Sequence, residues 1–227
     1  MSSVSTPPYG SPVVGIIADI VASRALADRA SAQRDIMAAF ARAEESVPVL
    51  RSAWATVGDE FQVIVADWAS ALRLTLRVQS LLPETVSLRF GIGVGEINTI
   101  RLEMDDDESA DDVAPGPPIQ DGSAWLYARA ALEDAEARQD KRDEVRTGFR
   151  ADDAHLTASV SQTLVLRDHV VARMKVRERR LLAAILQGHT QLEAARAEGI
   201  SQAAVSQSLH RSGAMALLDA DREDFPC

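Results

Sequence analysis

The sequence predicts an α+β protein: a ferredoxin-like βαββαβ unit followed by an all-α part. Three observations predict it. Between residues 13 and 94, short apolar or alternating runs exchange with stretches of helical spacing in the order β-α-β-β-α-β, the order of the split βαβ unit. From residue 156 the helical spacing continues almost without interruption. The chain has 227 residues, 46% hydrophobic and 26% charged, which suits one medium domain or two small ones with a packed core.

Residues 13–21, VVGIIADIV, are β-branched and nearly all apolar, which predicts a buried strand interrupted by Asp19. Residues 25–46 place Ile36, Met37, Phe40 and Ala43 at helical spacing, and Pro48 closes that helix. Residues 51–57 and 61–66 read as two strands joined by Gly58, Asp59 and Glu60, a hairpin. Residues 68–82 step around a helix with Leu72 and Leu76, stopped by Pro83. Residues 86–94 alternate Val86, Leu88, Phe90 and Ile92, a strand. Residues 103–119 are acidic and carry proline and glycine, which predicts a solvated loop. Gly122 to Arg138 set Trp125, Ala128, Ala131, Leu132 and Ala135 on one helical stripe. Residues 139–152 are charged, with a short strand at Thr147–Phe149, and residues 156–187 predict helix almost throughout.

The expected organisation is therefore a flexible N-terminus at 1–12 and an α+β domain at 13–152. A helical connector and C-terminal domain follow at 156–215, with a tail at 216–227. The single cysteine, Cys227, excludes a disulfide framework within the chain and suits a reducing cytoplasm. Residues 1–12 lack a basic run before an apolar core, so they do not read as a signal peptide. The apolar run VVGIIADIV is far too short to span a bilayer, so no membrane association is expected. A net charge of -10 argues against nucleic-acid binding by the whole surface, but leaves room for a local module.

The hairpin tip Gly58-Asp59-Glu60 draws attention because adjacent carboxylates interrupt two apolar strands. In a ferredoxin-like sheet the first strand lies beside the central hairpin, which brings Asp19 toward Asp59. Two such aspartates repel unless a cation lies between them. Hard divalent cations take carboxylate oxygens, and Mg²⁺ completes its shell with phosphate and water. That pairing points to a Mg²⁺–nucleotide site. The plainer alternative is that Asp59 makes a turn with Gly58 and Asp19 caps the next helix.

The motifs ADIVASR (18–24), GDEF (58–61), RFGIGVGEI (89–97) and GSAWLYARAALEDA (122–135) together resemble the palm-type nucleotidyl cyclase superfamily. More narrowly, they resemble the SatD family of bacterial proteins. The resemblance implies a nucleotidyl cyclase-like palm domain. It also implies Asp19 and Asp59 as ligands of Mg²⁺ (or Mn²⁺), with the Ile20 carbonyl a further ligand. The segment Ile20, Val21, Ala22, Ser23 and Arg24 is implied to offer backbone N–H groups to phosphates, beside Gly58, and Arg129 to meet the charge on phosphorus. The sequence departs from the cyclase pattern where Trp125 stands in place of the ribose-orienting asparagine and where the hairpin lacks a double glycine. The metal and phosphate half of such a site is thus matched and the ribose and base half is not, so binding is expected over turnover.

Residues 188–211, GHTQLEAARAEGISQAAVSQSLHR, have helix-turn-helix spacing. Thr190 and Ser201 are placed to cap two helices, and Gly199 to make the positive-φ turn between them. The run resembles the tail of sigma-factor region four. Ser201, Gln202, Ala203, Ser206, Gln207, His210 and Arg211 are the expected DNA-facing residues, Gln and Arg being able to read base edges. Upstream, RMKVRERR (173–180) supplies a basic run. The alternative is an αα-hairpin that docks another protein. The expected function is a cytoplasmic, homodimeric DNA-binding regulator that responds to a purine nucleotide or cyclic dinucleotide. An active nucleotidyl cyclase or nucleotidyltransferase is the rival, and a ligand-free palm serving dimerisation is the third reading.

Overall fold

The computed structural model describes residues 12–23, 26, 28–56, 58–100, 119–139 and 144–223. The element order opens with β1 (Val13–Ile20), α1 (Arg29–Glu44), β2 (Arg51–Ala55), β3 (Glu60–Val65), α2 (Trp68–Leu81) and β4 (Leu88–Gly95). It continues with β5 (Asn98–Ile100), β6 (Ile119–Asp121), α3 (Ser123–Gln139) and β7 (Thr147–Arg150). Five helices close the described chain: α4 (Ala154–Ala172), α5 (Val176–Leu186), α6 (Gln191–Glu198), α7 (Gln202–Arg211) and α8 (Ala214–Arg222). The protein is thus a mixed α+β structure. The acidic stretch expected as a loop at 103–119 lies almost wholly outside the described residues, as does most of 1–12.

Five strands form one sheet in the order β2-β3-β1-β4-β7. β1 pairs antiparallel with both β3 and β4, β2 pairs antiparallel with β3, and β7 joins β4 in parallel. Side chains alternate between the two faces of a strand, and here the faces hold different partners. Ile16, Phe61, Val63, Phe90 and Ile92 pack with Ile36 and Phe40 of α1, Leu74 and Val78 of α2, and Leu164 of α4. Ile17, on the other face, packs with Ala128 and Leu132 of α3.

α3 comes unusually close to the sheet, and the sequence explains why. On β4 the α3-facing positions are Gly91, Gly93 and Gly95, opposed chiefly by Ala124, Ala128 and Leu132, and on β7 Gly148 is opposed by Ala131. A Cβ placed on Gly93 would lie 2.2 Å from the Ala124 carbonyl oxygen, and one on Gly148 of β7 would lie 1.9 Å from that of Ala131. Backbone meets backbone, so these glycines are required by space rather than by dihedral angle.

Three features differ from the sequence expectation. The helical run 156–187 is two helices, because Lys175 starts α5 with its N–H bound 2.9 Å from the Glu178 carboxylate, a capping contact that breaks the run. The expected tail forms α8, whose Leu217 and Leu218 are buried against Leu76, Leu181 and Leu209. α8 is also tied to α2 by Arg77, whose two guanidinium nitrogens hold Asp221 at 2.6 and 2.9 Å. Finally, β5 and β6 form a small antiparallel pair that was not foreseen.

Candidate functional site

The hairpin and β1 meet at one end of the sheet. Asp19 stands directly across from Glu60 in the β1–β3 register. Thr56 closes the hairpin by donating its N–H to the Glu60 carbonyl at 2.9 Å. Gly58 turns the chain with φ of 90°, and its carbonyl accepts from Gln33 at 3.5 Å. The plainer reading of Asp19 as a helix cap is overturned: Asp28 caps α1, accepting the Ser31 N–H at 2.9 Å.

Two arginines hold these carboxylates on the α3 face. Arg89 of β4 is nearly buried and donates to Asp19 at 3.2 Å, to Glu136 at 3.1 Å and to Gln139 at 2.8 Å. Arg129 of α3 donates to Glu60 at 2.6 Å. That second pair is open to solvent, since Arg129 is 46% exposed, and exposed pairs contribute only about 0–1 kcal/mol. Arg129 is therefore held to Glu60 by a contact of little net strength. Sequence reading missed Arg89, Glu136 and Gln139. The available signal was that Arg89 is the one charged side chain on a strand face otherwise made of glycine.

Burial holds the Asp19 carboxyl above the ordinary aspartate range, and the charge of Asp59 pushes the same way. Arg89 pulls it back down, while Glu136 and Glu60 add to the rise. The charge of Asp59 thus acts on Asp19 in the folded chain. Among the described residues no three His, Cys, Asp or Glu side chains gather as a metal cage. Two carboxylates do fit a cation that arrives with phosphate, which is how Mg²⁺ is usually held.

The raised Asp19 pKa has a testable sign. Because the folded state favours the protonated acid, its contribution to stability is greatest below 3.8 and is lost as pH rises through the higher folded value. Asp19→Asn should therefore raise the melting temperature near neutrality, by a margin that shrinks to nothing on acidification. Thermal melts across the acid range check this. Destabilisation at neutral pH would mean that the Arg89 pair outweighs burial and repulsion.

The segment 20–24 departs from an open phosphate cradle. The Val21 N–H is engaged by the Ser87 carbonyl at 2.9 Å, and the Ser23 carbonyl accepts from Leu26. Ile20 is paired with Leu88 in the ladder, and Arg24 lies outside the described residues. α1 starts only at Arg29 behind an acidic cap, so its N-terminus does not follow the strand directly. Ala22 adopts φ of 54°, a strained conformation for a residue with a Cβ. Trp125 lays its ring on Gly15 and meets Trp54 edge-on at 6.0 Å.

The SatD family profile matches residues 13–222, nearly the whole chain. The chain belongs to the SatD family. No curated protein matches it. The family match spans both the sheet and the C-terminal helices of this SatD chain, so neither part is an appendage to the other.

A second surface lies on those helices. Thr190 caps α6, Gly199 takes φ of 64°, and Ser201 caps α7 through the Ala204 N–H at 3.2 Å. Ala195, Val205 and Leu209 are buried, while Gln202, Ala203, Gln207, His210 and Arg211 are exposed and Ser206 is half-buried. The Ser201 hydroxyl is engaged in its cap. The upstream basic run divides. Arg180 makes two 2.7 Å contacts to Glu198, and Arg211 pairs with Glu178 at 3.3 Å. Arg179 turns instead toward the sheet and lines a cavity with Glu84 and Gln79. Among the described residues no helix is long and apolar enough to cross a membrane.

Proposed function

We propose that this SatD chain is a homodimeric DNA-binding regulator whose sheet, read as a cyclase-like ferredoxin palm, binds a purine nucleotide or cyclic dinucleotide with Mg²⁺ (or Mn²⁺). The observation that carries the DNA half is α7. Its inner side is buried through Val205 and Leu209 and its outer side offers Gln202, Ser206, Gln207, His210 and Arg211, the pattern of a helix that reads a major groove. The helix-turn-helix reading is further supported by the two capped helices and the left-handed Gly199. The carboxylates Asp19 and Asp59, which repel each other, support the nucleotide half. These two aspartates would hold the cation, which would supply charge neutralisation to the phosphates. Arg129, only weakly retained by Glu60, would take a phosphate oxygen. Trp125 supports binding rather than turnover, because a large ring stands where a ribose-orienting amide is required.

A single titration tests the reading. DNA fragments selected from genomic DNA are bound by wild type, Asp59→Asn and Gln207→Ala, each with and without nucleotide and Mg²⁺. Wild type should change its DNA affinity with nucleotide by about 5–150-fold, the usual range of coupling between two sites. Asp59→Asn should bind DNA but ignore nucleotide, and Gln207→Ala should lose selectivity while binding nucleotide normally. If wild type selects no sequence over bulk DNA under any condition, the regulator reading fails and α6–α7 are better taken as a protein-docking hairpin.

A further inference from the structure

α4 is out of keeping with the rest of the surface. It has 19 residues, and its only Asp, Glu, Lys or Arg side chains are Arg167 and Asp168, which are buried. The chain has 26% charged residues, and the solvated face of a helix normally carries them. Ala158, Ser159, Gln162, Thr163 and Leu166 are exposed, and their spacing puts them on one stripe of the helix. Leu166 ends the stripe and is 68% exposed. An isolated exposed leucine is ordinary, and Leu126 on α3 is 69% exposed. What sets Leu166 apart is the cavity beside it.

Leu166 forms one rim of a groove of about 210 Å³ between α2, α4 and α8. The apolar walls are Ala69, Leu72 and Leu76 of α2, Val170 of α4, and Leu217 and Ala220 of α8. The charged groups at its edges are already matched. Arg167 donates to Asp168 at 3.2 Å, Asp221 accepts from Arg77 at 2.9 Å, and Arg73 donates to the Asp221 carbonyl at 3.0 Å. The hydroxyl of Thr163 is turned onto the Ser159 carbonyl at 3.2 Å. The groove is smaller than the roughly 300–1,000 Å³ of small-molecule sites, and it suits a protruding aliphatic side chain. One surface thus carries both an apolar knob and an apolar hole. A two-fold axis sets a surface against its own copy, so that the knob of each meets the hole of the other.

We infer that this face binds a second copy of the chain, with Leu166 of each copy in the α2–α4–α8 groove of the other. The inference rests on the homodimeric part of the proposed function and names its contact surface. Charge selects this occupant. Each copy has a net charge of -10, so two copies repel wherever charged faces meet, and like charges set against each other are costly. A helix face without charge is where they can approach. A basic partner would instead be drawn to the acidic faces. The centres of protein interfaces are depleted of charged residues in the same way. Size agrees. A helix of 19 residues is about 28 Å long, and a standard interface buries about 800 Å² per partner, a patch about 28 Å across. α8, which forms one wall of the groove, also packs Leu217 and Leu218 with Leu209 of α7. Pairing through this groove therefore fixes the relation between the two copies of α7.

Sedimentation velocity of the full chain over a range of concentrations tests it. Wild type should sediment as a dimer. Leu166→Glu removes the knob, and Ala220→Glu sets a charge in the wall of the hole. Each should weaken the dimer by about a hundredfold or more, because the two-fold axis would bury two unpaired carboxylates at once. Both variants should keep the circular dichroism spectrum of wild type, since both positions are exposed. Leu126→Glu, which alters an equally exposed leucine on α3, should remain a dimer. If wild type is monomeric at every concentration, the homodimeric reading fails and this surface fails with it. If wild type is a dimer and either Leu166→Glu or Ala220→Glu remains one, or if Leu126→Glu dissociates as well, the surface is wrong while the homodimer stands.

Discussion

Gly91→Ala should destabilise the protein by about 3 kcal/mol or more, although it adds one methyl group. Ordinary overpacking costs about 1–3 kcal/mol because side chains rotate away from the intruder. Here nothing can rotate. The new Cβ would lie 2.0 Å from the Ala128 carbonyl oxygen and 2.6 Å from the Leu132 amide nitrogen, both backbone atoms of α3. The helix would have to lift from the sheet as a unit, and Gly93 and Gly148 hold it equally close at their own contacts. The lift has a functional reading as well. Arg129, Glu136 and Gln139 ride on α3, whereas Asp19, Glu60 and Arg89 belong to the sheet, so the contacts from Arg89 to Glu136 and Gln139 and from Arg129 to Glu60 would open together. Urea denaturation of the variant measures the loss, which corresponds to a fall in melting temperature of roughly 6–12 °C for a chain of this size. A loss under about 1 kcal/mol would mean that α3 is free to shift, contrary to a close-packed interior.

The alternation of Leu88, Phe90 and Ile92 against Arg89, Gly91 and Gly93 made β4 legible in sequence, and the same alternation held the second message. A face of glycines needs a helix of alanines above it, and Ala124, Ala128 and Ala131 supply one. The two α6–α7 caps and Gly199 were legible because each acts within four residues of itself. Contacts that join distant segments were not. Nothing in the local spacing of Arg89 names Glu136 or Gln139 as partners, and nothing in RMKVRERR separates Arg179 from Arg180. That separation arises because successive helical residues point about 100° apart. Arg180 therefore meets Glu198 while Arg179 turns toward Glu84. The α8 helix was read as a tail because its anchors, Arg73 and Arg77, stand on α2 at the far end of the sequence.

Asp168→Ala should cost about 3–5 kcal/mol, the usual loss when one partner of a buried ion pair is removed. The Asp168 side chain is fully buried and Arg167 beside it is 7% exposed. The carboxylate receives Arg167 at 3.2 Å, Thr147 at 3.2 Å and the Arg146 backbone N–H at 2.8 Å. Burial already pulls the Arg167 guanidinium below its usual range, and Asp168 is what pulls it back. Without the carboxylate a guanidinium remains in the interior with only Thr75, Thr147 and the Leu72 carbonyl around it. An Ala at the same place on an exposed pair would lose about 0–1 kcal/mol, so the size of the effect reports burial rather than pairing as such. The loss is mainly that of stranding a charge, and this can be separated from the worth of the pair. The double variant Arg167→Met with Asp168→Leu removes both charges and keeps the volume. It should recover most of the stability lost in Asp168→Ala, since apolar replacement of a buried pair is often neutral or better. Chemical denaturation of both variants decides between the accounts: if the double variant is no more stable than Asp168→Ala alone, the hydrogen bonds from Asp168 to Thr147 and the Arg146 backbone, and not charge compensation, hold α4 to β7.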